Sequence, residues 1–189
     1  MAGFVVDRCL VPARGAPYAR IIPLTVEWMH MADARDRGIT LRRIIDAPPA
    51  RVYTAWTDPR YLQWYLNPGQ HTDHPIEVDL RVGGQWRLEM VESPEKRYLT
   101  GGIYRALKPD RQLVFTFGAF GGWPELDGDA ADEAPVVTVT LTEHEGATEM
   151  TLHMGFADTV SDERVRSWLD LGMEDGWRQT IDRLVPAPA

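Results

Sequence analysis

A chain of 189 residues that is 44% apolar and holds seven tryptophans carries enough hydrocarbon for one packed domain. Its net charge of −8 repels phosphate-rich partners, so neither nucleic acid nor an anionic membrane surface is expected, and no run approaches the roughly 18 apolar residues of a membrane span. The single cysteine, Cys9, leaves no internal disulfide and no cysteine metal cluster, and the expected setting is cytoplasmic.

Residues 1–30 read as an irregular extension. Their apolar patches, Gly3–Val6 and Ile21–Val26, are short and bordered by prolines, and no signal-peptide core is present. The expected natural start is Met29 or Met31, with an edge strand at Ile21–Val26 as the alternative; the domain proper is placed at 31–189. Ile39–Asp46 alternates as a strand. Ala47-Pro48-Pro49 breaks it, and Pro49 suits the first turn of a short helix over Ala50–Thr57. Asp58-Pro59 opens a second short helix through Tyr65, which ends before Asn67-Pro68-Gly69.

Six strands are then predicted. His74–Val82 places Ile76, Val78 and Leu80 inward, and Gly83-Gly84 reverses the chain into Gln85–Val91, with Trp86, Leu88 and Met90 on one side. Arg97–Leu107 follows a turn at Ser93–Lys96. Gln112–Phe117 alternates Leu113, Phe115 and Phe117. Val136–Glu143 and Thr148–Phe156 form a hairpin around Glu145-Gly146. Gly118–Pro135 is long and acidic for a connection between strands, and is expected to act as a mobile lid.

The last stretch, Ser161–Leu184, reads as one long amphipathic helix. Ser161 is a suitable N-cap, and Asp162 and Glu163 complement the helix dipole in the first turn. Val165, Leu169, Gly172, Met173, Gly176, Trp177, Thr180, Ile181 and Leu184 recur at helical spacing, and Pro186 and Pro188 end the element. Gly172 and Gly176 fall on the apolar stripe, where each costs about 1 kcal/mol against alanine, so a shallow strip for a sheet or ligand is expected there. Strands in antiparallel order with helices at the ends indicate an α+β domain whose apolar sheet face the last helix covers.

Ala47-Pro48-Pro49, Val52-Tyr53, Trp56-Thr57-Asp58-Pro59, Leu62, Trp64-Tyr65 and Pro68 together resemble the opening signature of the START-like (SRPBCC, helix-grip) superfamily. Within it, the run most resembles the branch of the heat-shock protein 90 ATPase activator homologues. Asp79-Leu80-Arg81-Val82-Gly83-Gly84, Gly102 with Leu107-Lys108-Pro109, Leu113-Val114-Phe115-Thr116, and Gly176-Trp177 with Leu184 agree in order, so the resemblance runs from about Ile39 to Leu184. It departs at Tyr65, where a second tryptophan is usual. The resemblance implies a helix-grip fold: two short helices after the first strand, and a curved antiparallel sheet wrapped around a long C-terminal helix with a cavity between. It transfers no catalytic set.

His71-Thr72-Asp73-His74 is a polar loop rather than a metal site, because extended backbone sends the two histidines to opposite faces. The acids Glu125, Asp127, Asp129, Asp132 and Glu133 lack calcium-loop spacing. Neither a metal nor a cofactor is expected. Ser93, Ser161 and Ser167 lie in no nucleophile turn, and Glu77, Asp79, Glu89 and His153 are out of phase with the apolar faces. Asp79 and Arg81 are read as a structural pair beside the glycine turn. Tyr104 is the one candidate for acid–base chemistry, if Tyr98, Thr100, Gly102 and Tyr104 rather than Leu99, Ile103 and Leu107 face inward.

The expected ligand-binding set is otherwise apolar. It comprises Trp56, Trp64, Trp86, Met90, Phe115, Phe117, Met150 and Met154 from the first helices and the sheet, with Gly172, Met173, Gly176 and Trp177 from the last helix. Three readings follow. The leading one is a non-catalytic or accessory binder of a small apolar molecule. The second is a cavity enzyme of the polyketide cyclase, aromatase or lyase kind. The third is a chaperone ATPase cofactor, ranked last because the eukaryotic activator carries an N-terminal domain that thirty irregular residues do not supply. A second copy of the chain is carried as a partner alternative.

Overall fold

The computed structural model describes residues 37–69, 71–91, 93–120 and 134–188. The expectations placed on residues 1–30, on the start methionines, on the acidic stretch 125–133 and on a lid over 118–135, apart from its ends at 118–120 and 134–135, lie outside them. The chain opens with β1 (Gly38–Ile45), followed by α1 (Pro49–Thr57) and a 3-10 helix (Pro59–Tyr65). Pro49 and Pro59 take the first helical positions, where a missing N–H loses nothing, and the Asp58 carboxylate accepts from the Arg60 N–H at 2.9 Å to start the second turn.

The strands are β2 (Glu77–Val78), β3 (Gln85–Val91), β4 (Arg97–Lys108), β5 (Gln112–Thr116), β6 (Gly118–Phe120), β7 (Val136–His144) and β8 (Ala147–Gly155). They make one antiparallel sheet in the order β1-β8-β7-β5-β4-β3-β2, with β6 paired to β4 beside β5. The register puts the alternating apolar residues on one face. Ile39 and Leu41 sit opposite Met154 and Leu152, which in turn oppose Val137 and Val139. On the far side Trp86, Leu88 and Met90 oppose Gly102, Thr100 and Tyr98.

β4 serves both ends of the sheet. It pairs with β3 through residues 97–103 and with β5 from Tyr104 onward, with a register shift between Tyr104 and Ala106. Gly102 sits at this seam. A Cβ there would lie 1.6 Å from the Thr116 carbonyl oxygen and 2.9 Å from the Trp86 ring nitrogen, so only glycine lets the chains close.

Two predicted elements differ from expectation. β2 is two residues long, because the chain leaves the ladder after Val78 and turns back through Asp79–Gly84, where Asp79 N–H donates to Gln85 and Gly83 N–H to Tyr104. Leu80, expected inward, is therefore 45% exposed. The Arg81 guanidinium pairs with Asp79 at 2.9 Å on this turn.

The single long C-terminal helix is two helices, α2 (Asp162–Leu169) and α3 (Met173–Ile181). Ser161 caps the first through its Oγ. Gly172 adopts a left-handed φ of 81° and separates them, which is how glycine commonly ends a helix. Neither Gly172 nor Gly176 is on the buried stripe; both are exposed. The break frees the phase: α2 buries Val165 and Trp168, and α3 buries Met173, Trp177 and Ile181. The tail after α3 returns to α1, where the Arg51 Nε and the Ala187 carbonyl meet at 2.5 Å. Among the described residues, no helix is long and apolar enough to cross a membrane.

Candidate functional site

α1 lies across β7 and β8, whereas α3 lies beside the 3-10 helix, over the end of the sheet formed by β3 and β4. A cleft of about 250 Å³ opens under α3. Its apolar side is formed by Met90, Phe117, Met173 and Trp177. Its polar side carries Asn67, Tyr98, Thr100, Gln179, Thr180 and Arg183, with Gly176 at the helix and Tyr65 at the inner end.

Tyr65 also borders a smaller space of about 20 Å³ lined by Trp56, Leu62, Trp86, Leu88, Tyr104 and Phe115. That is room for about one water molecule. A run of rings joins the two spaces: Trp177 meets Phe117 at 5.1 Å and Tyr65 edge-on at 5.9 Å, and Tyr65 meets Trp86 edge-on at 5.9 Å. Such edge-to-face geometry is favourable for aromatic quadrupoles.

The sequence-derived set thus divides. Met90, Phe117, Met173, Gly176 and Trp177 line the cleft. Trp56, Trp86, Tyr104 and Phe115 line the small void. Trp64, Met150 and Met154 border neither: Trp64 Nε1 donates to the Ala55 carbonyl at 3.0 Å, Met150 receives the Trp56 indole N–H at 3.4 Å, and both methionines are fully buried. Gly172 lies in the exposed turn outside the cleft.

Tyr104 faces inward on the Tyr98–Thr100–Gly102 side of β4 and packs edge-on against Phe115 at 6.2 Å. Burial pushes its phenol well above the ordinary tyrosine range, with a smaller contribution from Tyr53. A phenol so held keeps its proton at neutral pH, and the residues of its void bring no histidine or carboxylate to receive one. Burial raises the Tyr65 phenol as well.

Two polar features escaped the sequence reading. Arg183, one turn beyond Gln179, lines the cleft and donates to the Tyr65 carbonyl, and partial burial lowers its pKa from the usual arginine range. On the opposite face of the sheet Glu89 is only 8% exposed, although its phase in β3 is outward. The loop before β2 covers it: Thr72 Oγ1 donates to Glu89 at 2.9 Å, while His74 Nε2 and Arg97 Nη1 stand 3.8 and 3.5 Å from its carboxylate. Loop folding over a strand leaves no periodic trace. His153, also outward, meets Thr40 Oγ1 at 2.9 Å on that face.

A curved antiparallel sheet gripped by C-terminal helices, with a cleft between them, defines a START-like helix-grip domain. Residues 46–187 match the family described as Activator of Hsp90 ATPase homolog 1-like protein, and the chain belongs to that family. Protein Ms6760 from Mycobacterium smegmatis shares 24% identity over 79% of this chain and 88% of its own, with a TM-score of 0.62. Protein CV1439 from Chromobacterium violaceum is 27% identical over 81% and 99%, at a TM-score of 0.57. Protein NE0264 from Nitrosomonas europaea has the same fold at 19% identity, 79% and 92% coverage and a TM-score of 0.63. No curated protein matches the chain.

Proposed function

We propose that this protein binds a small apolar molecule in the cleft under α3, as a carrier or accessory protein rather than as an enzyme. The observation that supports the reading is the cleft itself, about 250 Å³ in volume and lined on its apolar side by Met90, Phe117, Met173 and Trp177. Ligand sites are concave, largely apolar and edged by a few polar groups, and this one lies just below the about 300 Å³ at which sites for drug-sized molecules begin. The ligand is accordingly compact. Methionines fit such a role because the unbranched thioether adapts to different shapes.

The test is calorimetric titration of the full chain with 2-naphthamide, an uncharged apolar probe. Wild-type protein is expected to bind it, and Gly176→Phe to abolish binding while the fold is kept. A Cβ at Gly176 meets nothing within 4 Å, so a ring there projects from exposed helix beside the cleft without a backbone clash. Equal binding by wild type and Gly176→Phe, or no binding by wild type, contradicts the assignment.

A further inference from the structure

The cleft has a cationic end that a wholly hydrocarbon ligand leaves unused. Arg183 is half-buried there, and each of its contacts is with a neutral group. Its Nε donates to the Trp64 carbonyl at 3.2 Å, and Nη1 to the Gln179 carbonyl at 2.9 Å. Its Nη2 donates to the Tyr65 carbonyl and to Thr180 Oγ1, both at 3.3 Å. These use four of the five N–H groups that a guanidinium carries.

Among the described residues Arg183 forms no ion pair, and no aspartate or glutamate lines the cleft. The carbonyls orient the guanidinium, and the Gln179 contact also closes the C-terminal turn of α3. They supply partial charge only, so a full positive charge remains in a partly desolvated place, where an anion is held more strongly than in water. Trp177 lines the cleft with its ring and is 4% exposed.

Resting on the apolar-ligand reading above, we propose that the ligand class is a compact amphipathic carboxylate. Its apolar body lies against Trp177, Phe117 and Met173, and its carboxylate meets the Arg183 guanidinium. Arg183 is a specificity-determining residue on this account, because a neutral analogue of the same shape leaves its charge unmatched. Arginine remains protonated at any working pH despite its lowered pKa, so the preference follows ionisation of the ligand alone.

The experiment compares 2-naphthoate with the near-isosteric neutral 2-naphthamide by calorimetry, on the full chain as wild type, Arg183→Gln and Arg183→Lys. Wild type is expected to prefer the carboxylate by about ten- to a hundredfold, the worth of a hydrogen bond to a charged group. Added salt is expected to narrow the gap. Arg183→Gln removes the charge and keeps only an amide donor, so it should lower carboxylate affinity far more than amide affinity and erase the preference; Arg183→Lys should restore part of it. A purely structural arginine would alter both probes alike. Equal affinities in wild type, or a carboxylate preference that survives Arg183→Gln, overturn the proposal and leave the apolar-ligand reading standing. Failure of both probes to bind wild type removes both. The wild-type ratio and its salt dependence decide the matter even if neither variant folds.

Discussion

The two ends of the sheet are closed by different means. Across β1, β8, β7 and β5, aliphatic chains interlock beneath α1, and Val137, Val139, Met150, Leu152 and Met154 are fully buried. Over β3 and β4 the cover is α3, and the facing residues are mainly large rings and polar groups: Tyr65, Trp86, Tyr98, Phe117 and Trp177. Flexible aliphatic chains fill space to crystal-like density. Rigid rings meeting edge to face leave room between them, and the short helix after Gly172 does not close that room. A fold therefore divides its sheet into a part that stabilises and a part that receives.

The contrast is sharpest at the seam. Gly102→Ala forces a Cβ into the Thr116 carbonyl, and should destabilise by about 3 kcal/mol or more, measured by urea unfolding. A loss below about 1 kcal/mol would mean that β4 shifts freely there and that the two ends are not separate.

Truncating one methionine in each part comes next. Met150→Ala should lose about 3 to 5 kcal/mol, because a cavity remains in packed surroundings and the Trp56 N–H loses its acceptor. Met173→Ala, beside space that already exists, should lose nearer the transfer contribution alone, about 2 kcal/mol, and should admit larger probes. Equal losses would erase the distinction between the two ends.

The helix glycines should respond with opposite signs. Gly172→Ala places a side chain at a φ of 81° and should cost about 1 kcal/mol. Gly176→Ala replaces glycine in exposed helix with nothing in its way and should stabilise by about 1 kcal/mol. Thermal melts read both.

The smallest effect is alkaline. Burial raises the Tyr65 and Tyr104 phenols, so the folded state holds their protons more tightly than the unfolded chain, whose tyrosines titrate near 10. Their contribution is complete below that pH and is lost as pH rises through it toward the folded values. Tyr65→Phe should therefore move alkaline unfolding to higher pH, and an unchanged midpoint would assign the transition elsewhere.

Much of the framework was legible in the residues. Alternation in Gln85–Val91, Val136–Glu143 and Thr148–Phe156 marks the strands, and Pro49 and Pro59 mark the short helical turns. The break at Gly172 was present as a glycine signal, but the surrounding apolar spacing reads equally as one helix. Tyr104 had two possible phases, and only pairing with Phe115 decides between them. Met150 and Met154 share the residue types of cleft methionines, yet what lies above them is set by where α1 lands. Arg183 falls off the apolar stripe, between Ile181 and Leu184, and is held at the cleft by the Trp64 and Tyr65 carbonyls that the 3-10 helix presents to it. Contacts between distant segments carry no local pattern.

The most direct measurement is the indole N–H spectrum of the full chain during titration with 2-naphthamide. The Trp177 resonance, from a ring that lines the cleft, is expected to shift to saturation, while that of Trp64, bonded to the Ala55 carbonyl in solid core, stays in place. A bound probe that moves Trp64 and leaves Trp177 untouched, or a Trp177 resonance unmoved at saturating probe, would contradict the cleft assignment.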